Sequence, residues 1–512
     1  MPARDPFRRQ HALFAFVLII GAASGPATAA ELRSPDGRMS LAGSLATWDV
    51  IRLHEHTPSE RPTGLLDLRL DATTTDRWRV FASLRAGYDG KIGHPRGGNH
   101  FLALDEVYQS KDVFLNLDEA YVDLYFETFE LRIGKQKMSW GQLDDLQPTD
   151  HVNPEDLTEF YFRPELERKM GVPAVRWTGY AGATTLDLVW NPIFTTSRLA
   201  APGDRWFAPL LRIPAVFDTP FGAVPVATRY PDVDPPPHTF ASSDVAFRLK
   251  HFHEGIEASL TGFHGWDKWG QTYEGRSTAT VAPTGDAAHP LAANVDVTIV
   301  PATRRITVLG ADLAMPFLWF ALRAEAAWIH GRGFPLRVQE TLAGDPRLFQ
   351  VVGEAAARVA HTGEPETVAL PLPPAALGRE CLQWGIGLDW FVTERVSRRL
   401  VGREWLAGTF VLAQLLQTVI FDHDAAFIDD AVEHLLAATI RQAFLDERLG
   451  VELKAVLNPN HGDWFVWPQA SYRLTESLSA IAEARIIGGS PRQTIGQYRD
   501  HDGIKLGIRW SF

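Results

Sequence analysis

Between Gly134 and Met170 the chain reads GKQKMSWGQLDDLQPTDHVNPEDLTEFYFRPELERKM, a polar, turn-rich stretch. Acidic residues cluster at Asp144, Asp145, Asp150, Glu155, Asp156 and Glu159, and basic ones follow at Arg163, Arg168 and Lys169. Such a set suits a pore better than bond-making chemistry. Folded into a lumen, it would narrow the passage and set a transverse field, and rings of charged side chains are one way pores select ions. The candidate constriction therefore has an acidic side (Asp144, Asp145, Asp150, Glu155, Asp156) and a basic side (Arg163, Arg168, Lys169). The same composition also describes a solvated loop. Within the stretch, Asn153 can cap a short helix, Pro154 sits where its missing N–H costs nothing, and Asp156 occupies the capping-box position.

Other residues that could do chemistry form no site. His54-Glu55-His56 and His251-Phe252-His253-Glu254 place two imidazoles on one strand face, as metal ligation would require, but neither has a further ligand set nearby. A lipase-like barrel needs Ser, His and an acid brought together, and no G-x-S-x-G elbow singles out a nucleophile. There is no P-loop for nucleotide-driven transport. The single cysteine, Cys381, excludes an intrachain disulfide framework, and a net charge of −12 argues against a nucleic-acid partner. No catalytic residue, cofactor or metal is assigned.

The elements that would position the charged stretch are strands. Leu66, Leu68 and Leu70 alternate with Asp67, Arg69 and Asp71, and Val245, Phe247 and Leu249 flank Ala246 and Arg248. Near the C-terminus Ile504, Leu506, Ile508, Trp510 and Phe512 alternate with Lys505, Gly507, Arg509 and Ser511. Successive side chains of a strand point to opposite faces, and polar-in, apolar-out with aromatic ends is the pattern of membrane barrels. Trp78, Tyr88, Trp190, Trp319, Trp328, Trp464, Trp467 and Trp510 sit at strand ends, where rings suit the lipid headgroup level. At the other terminus Arg4, Arg8 and Arg9 precede an apolar run, Ala12–Ala23, and small residues, so residues 1–30 read as a secretory signal.

The expected fold is all-β: one transmembrane antiparallel β-barrel of about 14–18 strands over residues 31–512, with long loops and a short helix in an inward-folding loop. Strands are expected at 294–301, 404–420 and 440–457 among others, whereas 424–440 has helical spacing. Counting strands back from the C-terminus places 332–380 on the periplasmic side, in conflict with the rule that periplasmic turns are short. This conflict implies an error near 390–440. The long insertions at about 192–240 and 332–380 are Pro- and Gly-rich and fit surface lids, inward plugs or receptor-like tips.

The run Gly134-Lys135-Gln136 through Ser139-Trp140-Gly141, with Asp150, Asn153-Pro154 and Asp156-Leu157, resembles Gram-negative outer-membrane proteins of the DUF1302 group. Leu188–Phe194, Pro202–Trp206 and Ile495–Asp502 resemble it too, with Ile495 standing where that group often has Phe. The resemblance implies an outer-membrane barrel and supplies no catalytic residues. A porin-like channel for passive diffusion of small solutes is the expected function. The alternatives are an outer-membrane partner of an export system for lipid-like compounds and a plugged structural or adhesive barrel. Expected partners are outer-membrane lipid and lipopolysaccharide, small solutes, and the barrel-assembly machinery through the strand ending at Phe512.

Overall fold

The computed structural model describes residues 32–54, 60–89, 108–110, 113–144, 146–200, 204–219, 222–231, 239–268, 272–287, 289–317, 319–337, 346–371 and 376–512. The proposed secretory signal lies outside these residues. Eighteen antiparallel strands close into a barrel: β1 (Met39–Arg52), β2 (Glu60–Thr75), β3 (Trp78–Asp89), β4 (Val113–Tyr125), β5 (Phe129–Gln136), β6 (Val172–Ala181), β7 (Thr184–Asn191), β8 (Asp244–His253), β9 (Ile256–Trp266), β10 (Arg305–Phe317), β11 (Phe320–Pro335), β12 (Ala376–Phe391), β13 (Phe410–Ile420), β14 (Val432–Phe444), β15 (Leu449–Asn458), β16 (Asp463–Arg473), β17 (Leu478–Gly488) and β18 (Gly503–Ser511). The ring closes where β1 pairs with β18, from Ser44 against Ser511 to Arg52 against Gly503. Closure leaves the wall without a strand edge, the condition for crossing a bilayer with strands.

Alternation decides which face meets lipid. Along β8, Val245, Phe247 and Leu249 are exposed on the outside, whereas Asp244, Ala246 and Arg248 are buried inside. In the lumen the polar face is neutralised in pairs across neighbouring strands. Arg79 bridges Asp71 (2.6 Å) and Asp123 (3.2 Å), Arg132 meets Asp123 (2.6 Å), Arg176 meets Asp187 (2.9 Å) and Arg248 meets Asp312 (3.2 Å). Trp78, Trp319, Trp390 and Trp510 gather at one end of the barrel and Trp190 and Trp464 at the other. Trp467 departs from this belt: it is 2 % exposed and points into the lumen. The closed wall, its apolar outer band and its aromatic ends place the protein in the bacterial outer membrane.

The two ends differ as outer-membrane barrels require. One carries tight turns, such as Gly182 and Ala183 between β6 and β7 or Glu254 and Gly255 between β8 and β9. The other carries every long connection except 392–409, which holds a short helix, Glu394–Val401. The segment 332–380 therefore belongs to the long-loop, outer side, which corrects the expected placement. The miscount came from β14 and β15. They form a hairpin turned at Leu445, Asp446 and Glu447, all at positive φ, where the sequence suggested one strand at 440–457. Helical spacing at 424–440 misled because β14 is apolar on both faces: Leu436 and Ile440 face lipid, while Leu435 packs inward on aromatic rings.

The strand expected at 294–301 exists but is not part of the barrel. It lies within Leu291–Ala302, in a separate five-stranded sheet ordered Val216–Thr219, Gly222–Arg229, Leu291–Ala302, Thr272–Pro283, Glu366–Leu370. A helix, Pro346–Thr362, packs Ala355 and Val359 against Val281 of that sheet. Three outer loops thus build one folded cap. The sequence resolved neither long insertion into these elements, because Pro and Gly at the joints mask short strands.

Candidate functional site

The connection between β5 and β6, residues 137–171, leaves one wall of the barrel and reaches two others. Its base is clasped by Asn153: Oδ1 accepts from the Met138 N–H (2.8 Å), and Nδ2 donates to the carbonyls of Gln136 (3.2 Å) and Met170 (2.7 Å). Asn153 thus ties both ends of the loop together and caps no helix. Residues Asp156–Tyr161 are extended, pairing in parallel with Arg198–Leu199, and the loop's one helical turn comes later, at Glu165–Arg168. The expected helix start at Asn153 is corrected accordingly. An amide side chain can satisfy backbone groups on two strands at once, which outweighs one capping bond.

The first limb of the loop runs to the far wall. Glu325 of β11 accepts from the backbone N–H groups of Gln142, Leu143 (2.5 Å) and Thr149 (3.3 Å), and from the Thr149 hydroxyl (3.0 Å). Gln142 donates to Glu257 of β9 (2.7 Å), and Arg323 of β11 donates to the Gln142 carbonyl (2.8 Å). Leu143, 1 % exposed, drops onto β12 at Gly385 and Gly387. A Cβ at either glycine would stand 2.6 or 2.9 Å from a Leu143 methyl carbon, so the two glycines form a socket for that side chain. Gly141 turns the chain with φ +95°, and a Cβ there would meet the Glu325 carboxylate at 2.6 Å.

The second limb lies against β16 and β17. Phe160 and Phe162 join Trp206, Phe465, Trp467 and Tyr498 in a buried aromatic cluster, with Phe162 and Phe465 centroids 5.2 Å apart. Arg485 of β17 donates to Glu159 (2.7 Å) and stacks 5.3 Å over Phe162. Phe160 holds φ +55°, a left-handed backbone that costs about 1–3 kcal/mol for such a residue and persists only under strong packing.

The charges expected to oppose one another across a pore instead pair within the loop. Lys169 meets Asp150 at 2.5 Å and Arg168 meets Glu155 at 2.8 Å, all four side chains at most 6 % exposed. Asp156 takes Arg163 (3.0 Å) and Arg198 (3.2 Å). Burial pushes the Asp156 carboxyl up, but the two guanidiniums and Thr158 outweigh it and hold it at about 2. Separate acidic and basic sides are thus not found; like the wall's charges, these interdigitate. A low-dielectric setting makes each unpaired charge too costly to leave facing its own sign. Asp144 stays partly open, 3.7 Å from Arg323. Asp145 lies outside the described residues.

Beside the loop, on the β5–β8 wall, is a cavity of about 340 Å³ lined by Lys137, Trp140, Arg176, Asp187, Arg248 and Lys250, among others. The weak histidine pairs stay weak. His54 bonds Asp502 (2.9 Å), His56 lies outside the described residues, and His251 and His253 sit exposed on the outer face near a tight turn. Sequence reasoning missed Glu325, Arg323, Gly385 and Gly387. The Gly-Ile-Gly run was the available signal, since two glycines on one strand face leave room for something to enter.

No family model matches the chain, and no curated protein matches it. Among solved structures it is similar to a BenF-like porin from Pseudomonas fluorescens Pf-5, at 9% identity and TM-score 0.46 over 93% of this chain and 98% of that one. It is also similar to OccAB1 of Acinetobacter baumannii, at 9% identity and TM-score 0.45 over 95% and 99%. The outer membrane protein OpdK of Pseudomonas aeruginosa gives 8% and 0.44 over 93% and 98%.

Proposed function

We propose that the protein is a porin-like channel that passes small polar solutes by passive diffusion along the space beside the inward loop. The observation that carries this reading is the double anchoring of residues 137–171 to opposite parts of the wall, which narrows the lumen. A wall of paired charges of both signs favours a hydrated path, and the cavity beside Lys137 and Arg176 is where that path would run. We also propose kinship with the DUF1302-like proteins that the 134–157 motif resembles. The exporter alternative drew on a long periplasmic segment at 332–380, and that segment stands at the opposite end of the barrel.

The test is single-channel recording of the mature protein in a planar bilayer. Steady conductance is expected, with a cation-to-anion permeability ratio that falls in Asp144→Asn. A correctly folded barrel that conducts nothing would sink the diffusion reading in favour of a plugged or partner-gated barrel.

A further inference from the structure

At the outer mouth, two connections and the start of β14 converge on a donor set that the channel reading does not use. Glu433 starts β14 on its lumen face, His461 lies in the β15–β16 turn, and Asp430 belongs to the 421–431 connection. One ligand atom from each lies within 4.8 Å of the other two. His461 Nε2 is 2.8 Å from Glu433 Oε1. Neighbouring amides hold the carboxylates in place: Asn458 donates to Glu433 Oε2 (3.1 Å) and Asn460 donates to Asp430 Oδ2 (3.2 Å). Carboxylates that ligate metals are commonly oriented this way by outer hydrogen bonds.

We propose that Asp430, Glu433 and His461 form a binding site for a first-row divalent cation at the outer rim of the barrel. Mixed imidazole and carboxylate donors suit zinc-like ions, whereas calcium prefers oxygen alone. Ligands about 2.0–2.2 Å from one ion stand about 3–4 Å apart, so small side-chain rotations complete the site. The ion braces the 421–431 connection against β14 and the β15–β16 turn. That connection also holds the root of the 336–375 loop, through Ile428 N–H to the Pro335 carbonyl (3.0 Å) and Arg337 N–H to the Ala426 carbonyl (2.8 Å). Filling the site therefore stiffens the attachment of the cap.

The experiment is calorimetric titration of Zn²⁺ into the folded full chain in detergent at neutral pH. One equivalent is expected to bind, with affinity weakened at least about tenfold in His461→Ala and in Glu433→Gln. A double variant of His251 and His253, at the opposite end, should leave it unchanged. Hydrogen exchange across 421–431 should slow with Zn²⁺ in the wild type and not in His461→Ala, a variant that removes a ligand without touching a backbone partner. No binding by the wild type, binding indifferent to both rim variants, or displacement by equimolar Ca²⁺ would overturn the proposal.

Discussion

The two limbs of the inward loop are fastened by opposite chemistry. The first hangs on one carboxylate, Glu325, that gathers three backbone N–H groups and a hydroxyl. The second rests on a cluster of rings, Phe160, Phe162, Trp206, Phe465, Trp467 and Tyr498. A shared acceptor is all-or-none: remove it and every donor it served is left buried and unsatisfied, at about 1–3 kcal/mol each. Ring packing is graded, because neighbours partly fill a vacated volume. The first limb is thus a latch and the second a bed, and under the proposed channel reading only the latch would set the width of the passage sharply.

The strongest way to break that contrast is Glu325→Ala. The first limb should detach, and single-channel conductance should rise several-fold with noisier open levels. Unchanged conductance would mean that Leu143 in its glycine socket suffices. Phe162→Ala should act more weakly. It should cost about 3–5 kcal/mol of stability, the range for truncating a buried ring. Hydrogen exchange should rise at 156–163, with a smaller change in conductance than Glu325→Ala gives. An equal or larger conductance change would reverse the ranking of the limbs.

The smallest effect concerns acid. The Asp156 carboxyl is held at about 2, below its unfolded value of about 3.9, so its contribution is complete above that higher value and is lost as pH falls through the lower one. Exchange at 156–163, corrected for intrinsic rates, should therefore stay flat from pH 7 to about pH 4.5. A loosening near pH 5 would show that Arg163 and Arg198 hold Asp156 less firmly than the geometry implies.

Much of the barrel was legible because its physics is local. Lipid outside and water inside impose a two-residue period, and Leu66–Asp71 or Val245–Leu249 display it without reference to any partner. The reading failed where that period was lost or borrowed. β14 lost it when Leu435 turned inward toward the rings. Leu291–Ala302 borrowed it, since Val297 and Ile299 bury one face against Val226 of the cap. In the β5–β6 loop, residue types signalled an inward segment, but the pairing of Asp150 with Lys169 and Glu155 with Arg168 depends on how the chain doubles back. Glu325 was invisible for a related reason: its four donors lie more than 170 positions away in sequence.

The seam between β1 and β18 has a bearing on how the chain reaches this form. Its final bonds join Gly43 N–H to the Phe512 carbonyl (2.8 Å) and Phe512 N–H to the Gly43 carbonyl (2.9 Å). Partners separated by nearly the entire sequence can meet only after all intervening hairpins are in order, the most expensive kind of contact to form early. Until then two strands stand open, each able to recruit a stranger. The barrel is thus at its most vulnerable just before β18 docks on β1, and a chain without β18 would carry an open strand edge into the bilayer.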